Sequence, residues 1–257
     1  MVSILLPAPV YDVGELAEVG HSIGATFWAP GRHSRGVVPS AGRERARFVE
    51  DLGDRGLLEG VWIGCDPVDR SVANRNRALI DGHAVALCVG DRYSALEAAA
   101  IARQVDEMRA IRTVRALGLW CGSSFDPPPV DLEVIPLVDF LLINVDDDDR
   151  KTWPARVAAW ERLGALEVVP VFWPRPRDPR RLRDDLRALP RSRIAVWSMA
   201  ELDGGNLEIL RGRPVVVDLR PAILSGIGMV AWGLGYAAQL LGRRLARASG
   251  LHRGRRA

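Results

Sequence analysis

Lysine is almost missing from this chain. Among 35 lysine and arginine residues in 257, Lys151 is the single lysine. Schiff-base chemistry needs an amine at or near a strand end, and Lys151 follows a run of acids, Asp146 to Asp149, so that class is excluded. Histidine is scarce too. His21, His33, His83 and His252 stand far apart with no HxH pair, which argues against zinc sites built from several imidazoles. Cys65, Cys88 and Cys121 lack CxxC spacing and each lies in or at the end of an apolar run. They read as reduced core or mouth residues rather than a disulfide frame or a zinc site. No GxGxxG opens a helix, and Gly204-Gly205-Asn206, a candidate phosphate cradle, reads more simply as a turn. No metal and no cofactor is therefore expected. Met1 to Pro7 has neither a basic start nor an apolar stretch long enough for a signal peptide. The chain is expected to be cytoplasmic when made.

What replaces lysine is arginine, the mark of a high-GC genome such as that of an actinobacterium or its phage. The charge is unevenly placed. Residues 243–257 hold six arginines and no acid, which leaves 29 basic against 32 acidic residues in the rest. The net charge of +3 thus belongs to a basic tail, expected to be solvated, and no specific nucleic-acid partner is expected.

Apolar runs of strand length recur at Ala25–Ala29, Val61–Cys65, Ala84–Val89, Leu117–Cys121, Phe140–Val145, Val168–Trp173, Ile194–Trp197 and Val215–Val217. Phe140–Val145 is the clearest: an almost wholly apolar stretch followed at once by four aspartates, as in a strand buried on both faces. Helical segments lie between the runs. Arg43–Leu57 and Ser94–Val114 carry apolar residues three and four apart, while Thr152 before Pro154, and Asp178 before Pro179, mark helix starts. Eight such repeats predict a (β/α)8 barrel over residues 22–242, with residues 1–21 as an extension, Ser3–Pro7 as a ninth strand outside the barrel if it is one, and 243–257 as the tail. The triple proline after Cys121 predicts a short or missing fourth helix. Ala222–Gly242, free of charge and rich in glycine, is expected to be the eighth helix, with packing on a partner or a second copy as an alternative and a membrane span as the least favoured reading.

In such a barrel chemistry gathers at the carboxyl ends of the strands. The catalytic candidates are Asp91, Asp146, Glu201 and Asp218; the ligand-binding candidates are Trp28, Asp66, Asn144, Trp173, Trp197 and Arg220. An Asp after a strand also caps the next helix, and a strand Trp also fills a core, so each candidate has a purely structural reading beside the functional one. Carboxylates working without a metal suit glycoside cleavage, one as acid and one as base or nucleophile, with indole faces stacking on the sugar.

The run Asp139-x-x-Leu142-x-Asn144-x-Asp146 resembles the DxxDxDxE strand motif of chitinase-type glycoside hydrolases, with Leu142 and Asn144 at two supporting Asp positions and Asp146 at the catalytic Glu position. The resemblance implies a glycosidase-like barrel whose shortened acid no longer donates a proton. The expectation that follows is a binding or structural module for carbohydrate, carried as a bacteriophage tail component that meets an actinobacterial envelope. Its alternative is an active glycoside hydrolase using a strand-end carboxylate pair.

Overall fold

The computed structural model describes residues 1–7, 9, 11–31, 39–65, 72–90, 95–121, 134–145, 149–164, 166–197 and 202–212. Eight parallel strands form a closed barrel: β1 (Val2–Leu5), β2 (Ala25–Pro30), β3 (Leu58–Gly64), β4 (Ala84–Gly90), β5 (Ala116–Cys121), β6 (Phe140–Asn144), β7 (Glu167–Phe172) and β8 (Ile194–Trp197). Closure is made by β1, which pairs with β2 on one side and β8 on the other, Ser3 lying opposite both Thr26 and Ala195. Helices α1 (Val13–Ile23), α2 (Pro39–Asp54), α3 (Val72–Ile80), α4 (Ala95–Ala110), α5 (Trp153–Arg162), α6 (Pro179–Ala188) and α7 (Gly204–Arg211) occupy the crossovers.

The strand count corrects the sequence reading. Seven of the eight apolar runs are strands, but the first barrel strand is Val2–Leu5. It is neither an outlying ninth strand nor part of an extension, because its four residues are all buried and hydrogen-bonded on both sides. The eighth place is thereby filled by Ile194–Trp197, and the barrel closes without Val215–Val217. Met1–Pro214 is one compact unit, and Val215–Ala257 is divided from it. The expected eighth helix at 222–242 and the tail at 243–257 lie outside the described residues. Between β5 and β6 the described part of the connection holds one 3-10 turn, Ile135–Leu137; residues 122–133, on which most of the short-helix expectation falls, are outside the described set.

Local chemistry explains the helix ends. Asp12 accepts the Glu15 N–H at 3.0 Å to cap α1, which stops at Gly24 in the left-handed region. Asp178 accepts the Arg181 N–H and places Pro179 in the first turn of α6.

Alternation along each strand builds two cores. Ile4, Phe27, Ile63, Leu87, Leu119 and Ile143 face outward, into the layer between sheet and helices. Leu5, Trp28, Trp62, Ala86, Trp120, Phe140, Leu142 and Val171 fill the inside of the barrel. A barrel of eight strands has an interior just wide enough for its side chains, and rings this large need small neighbours. Cross-strand pairing supplies them: Trp28 is opposite Gly60, Phe140 opposite Gly118, Trp62 opposite Ala86 and Trp120 opposite Cys88. A Cβ on Gly60 would stand 2.5 Å from Cζ3 of Trp28, and one on Gly118 would stand 2.2 Å from Cε2 of Phe140.

The amino ends of the strands are sealed by charge. A register shift between Phe27 and Trp28 leaves Glu59 as an extra residue on β3. Its carboxylate accepts the Thr26 hydroxyl at 2.5 Å and pairs with Arg193, whose guanidinium also holds Glu167. Four strands are thus tied across the floor by one cation between two anions. Nearby, the Met1 amino group donates to the Ser192 carbonyl at 2.6 Å.

Two outcomes follow from this packing. Gly118→Ala is expected to destabilise the barrel by about 1–3 kcal/mol, the range for an overpacked core, with Phe140→Leu restoring much of the loss in the double variant; additive effects in denaturant melts would contradict the proposed contact. A chain ended after Pro214 is expected to keep one cooperative thermal transition, and loss of that transition would mean that residues 215–257 complete the fold.

Candidate functional site

The carboxyl ends of the strands form the opposite rim, and tryptophan dominates its described residues. Period-two alternation brings the inward-facing positions Trp62 of β3, Trp120 of β5 and Trp197 of β8 to the same end, and Trp173 follows β7 directly. Trp197 is the hub. Its ring centroid lies 5.0 Å from Trp120, 5.1 Å from Trp173 and 6.0 Å from Trp62, and Trp62 meets Trp120 edge-on at 5.4 Å. Offset and edge-on contacts at these separations are the favoured geometry for aromatic pairs.

The four rings divide by exposure. Trp62 and Trp120 are each only 5% exposed and their indoles are satisfied: Trp62 Nε1 donates to the Leu6 carbonyl, and Trp120 Nε1 donates to Asn144 Oδ1, both at 2.8 Å. Trp173 and Trp197 are half-buried, tilted by 31° to one another, and form a partly open aromatic surface above the packed pair. Nε1 of Trp173 is shielded from solvent and has no hydrogen-bond partner among the described residues.

The ligand-binding candidates separate accordingly. Trp28 is fully buried with its ring 5.5 Å from Phe140, so it is a core residue. Asn144 is 8% exposed and is occupied by the Trp120 indole, which makes it a positioning residue for that ring. Trp173 and Trp197 are brought together at the rim. Asp66, Arg220 and the four catalytic candidates Asp91, Asp146, Glu201 and Asp218 lie outside the described residues. Trp62 and Trp120 were missed as rim residues, although Gly60/Trp62 and Gly118/Trp120 carry the parity that places both rings inside.

Two described carboxylates at this end serve as helix caps. Asp178 caps α6, and Asp203 caps α7 by accepting the Asn206 N–H at 2.9 Å while its other oxygen takes the Arg177 N–H at 2.6 Å. Those backbone donors, Asn206 first and then Arg177, hold the Asp203 carboxyl below the usual carboxylate range. Gly204-Gly205-Asn206 is therefore the first turn of α7 with its anion position already filled. The Arg177 bond has a local cost: this is the one non-glycine among the described residues with positive φ, at 64°, a conformation of order 1 kcal/mol above the ordinary one.

The thiols do not form a cluster of ligands. Cys121 is buried among outward-facing apolar residues, and burial, reinforced by the nearby Cys88 thiol, pushes its pKa up. Cys88 packs against the inner core, on the other side of the sheet. Among the described residues no group of three or more His, Cys, Asp or Glu is gathered. His83, at the start of β4, is held below the usual imidazole pKa by burial and then by Arg115. At the outer layer, burial raises the Asp185 pKa, against the lowering effect of its Arg150 partner 2.5 Å away.

The described residues of the chitinase-type strand pattern have structural roles, while Asp146 lies outside the described residues. Asp139 lies before β6, at the amino end of the barrel, where it accepts from Arg109 at 2.9 Å and from the Leu117 N–H at 2.8 Å. Leu142 is 1% exposed in the inner core, and Asn144 holds an indole. Asp139 and Asn144 each have a structural partner, and the strand is the sixth of the barrel.

No family model and no curated protein matches the sequence. Among solved structures the chain is similar to a HpcH/Hpal aldolase/citrate lyase family protein from Burkholderia cenocepacia J2315, at 15% identity and a TM-score of 0.48, over 78% of this chain and 89% of that one. It is also similar to the enoyl reductase domain of MlnA from the macrolactin biosynthesis cluster of Bacillus amyloliquefaciens, at 13% identity and a TM-score of 0.45, over 82% of this chain and 57% of that one. Similarity at this level says nothing about substrate or reaction. Asp139, Leu142 and Asn144, three of the four residues of the motif that pointed to an inactive glycosidase, have structural duties instead. The reading as a non-catalytic phage tail component at an actinobacterial envelope is therefore withdrawn. Among the described residues no helix is long and apolar enough to cross a membrane.

Proposed function

We propose that the chain is an enzyme whose substrate is taken at the carboxyl ends of the barrel strands, against the Trp173–Trp197 pair. The observation that carries this reading is the pair itself. Two large rings stand half-exposed at 5.1 Å on a rim whose opposite end is closed by the Arg193 ion pairs. Beneath them Trp62 and Trp120 hold Trp197 from below, so the surface is rigid without help from a ligand. Rigid aromatic area at the functional end of a barrel suits a substrate with a flat or C–H-rich face.

The chemistry falls to the carboxylates Asp91, Asp146 and Glu201, which follow β4, β6 and β8 in the sequence. Hydrolysis of a glycosidic bond by two of Asp91, Asp146 and Glu201 is the form of the proposal with a defined residue set; Asp218 drops out, because the strand it was read as following is not one of the eight. It rests on the aromatic surface and on a sequence with a single lysine, Lys151, and no HxH pair, not on the strand motif. In that reaction one acid protonates the departing oxygen while the other carboxylate attacks carbon or activates water.

Turnover on a panel of neutral and acidic glycosides, measured for the wild type and for Asp91→Asn, Asp146→Asn and Glu201→Gln, tests this. Loss of a general acid or base is expected to lower kcat by about a hundredfold or more, whereas Trp173→Ala is expected to act mainly on KM. A wild type inert on the whole panel, or three variants with unchanged kcat, would remove the glycosidase form. Unaltered KM in both Trp173→Ala and Trp197→Ala would remove the rim as the site.

A further inference from the structure

Directly after Trp173 the chain runs Pro174-Arg175-Pro176-Arg177-Asp178-Pro179-Arg180-Arg181-Leu182-Arg183. Five arginines face a single aspartate in these ten residues, and that aspartate is the cap of α6. Elsewhere arginines are repeatedly given partners: Arg109 with Asp139, Arg150 with Asp185, Arg191 with Glu161, Arg193 with Glu59 and Glu167. Here Arg175, Arg177, Arg180 and Arg183 are exposed, and among the described residues none of the four guanidiniums has an ion pair or hydrogen bond.

Their backbone, by contrast, is fixed. The Arg175 carbonyl accepts both the Asp178 N–H at 3.1 Å and Nδ2 of the fully buried Asn206 at 3.2 Å. Arg177 is held in the left-handed region by its bond to Asp203, where glycine would fit without strain. A strained arginine on an anchored loop, with a free head group, two and four residues beyond the half-open indole, is the pattern of a prepositioned anion clamp. The α7 amino end cannot do this work itself, since Asp203 already occupies it.

We infer that the substrate at the rim carries an oxyanion group, a phosphate ester foremost, gripped by the guanidiniums of Arg175 and Arg177 while its body lies against Trp173. This rests on the rim being the substrate site and specifies the class of compound bound there. Arg180 and Arg183, further along α6, add attraction without direct grip.

Calorimetric titration of the full chain with glucose, glucuronate, glucose 6-phosphate and inorganic phosphate tests the inference. Glucose 6-phosphate is expected to bind at least tenfold more tightly than glucose. That ratio should fall to within about twofold in Arg175→Gln/Arg177→Gln and recover in part in the double Lys variant, as expected for charge-assisted contacts. A preference for glucuronate over the phosphate, equally lost in the Gln variant, would assign the clamp to carboxylates. Arg177→Gly supplies a readout that a structural role would not give: relief of the left-handed strain should leave the melting temperature unchanged or higher while phosphate affinity drops. A Gln variant that keeps the wild-type ratio, or a wild type that binds neither phosphate compound, overturns the clamp. Failure of the rim reading looks different: arginine-dependent phosphate binding that Trp173→Ala leaves untouched.

Discussion

The interior of an eight-stranded barrel has a fixed cross-section, and this one is filled with indoles. Bulky branched aliphatics in stacked layers are the usual filling. Here Trp28, Trp62, Trp120 and Phe140 take their place, each set against a glycine, an alanine or a cysteine on the strand hydrogen-bonded to it. The pairing of large with small is the condition for closure. If Gly60 or Gly118 carried a side chain, its Cβ would have to occupy space held by a ring that has nowhere to go.

From that constraint the two ends acquire different characters. At the amino end the glutamate displaced by the β3 irregularity, the Thr26 hydroxyl and Glu167 converge on Arg193. These groups are part-buried, and their mutual hydrogen bonds offset the loss of hydration that burial would otherwise impose. At the carboxyl end the rings outgrow the barrel. Two are sealed with their N–H groups bonded, and two are left half in solvent. The polarity of the barrel, closed below and aromatic above, is therefore a packing result before it is a functional one.

Much of this architecture was legible in the chain. Apolar runs bounded by charge marked seven of the eight strands, and Asp178-Pro179 marked the start of α6 because a cap followed by proline has few other uses. Val2–Leu5 was misplaced because four residues at a terminus carry no periodicity to separate a barrel strand from an extension. Placing it outside moved every later strand by one and made Val215–Val217 look necessary. The site was harder to read. Asp139 and Asn144 looked like remnants of a catalytic motif, yet their partners, Arg109 and Trp120, are 30 and 24 residues away, and no local pattern announces such bonds. Trp173 and Trp197 could be named as strand-end aromatics, but only the folded register shows them meeting at 5.1 Å.

The tryptophan cluster has one more consequence. From Trp62 through Trp120 and Trp197 to Trp173, successive ring centroids are 5.0–5.4 Å apart, close enough for the excited states of the four indoles to mix. Light absorbed at any of them is shared, and emission drains to the members nearest water. Four of the eight tryptophans thus report from one rim of the barrel, so that whatever settles on Trp173 and Trp197 alters a signal gathered from all four.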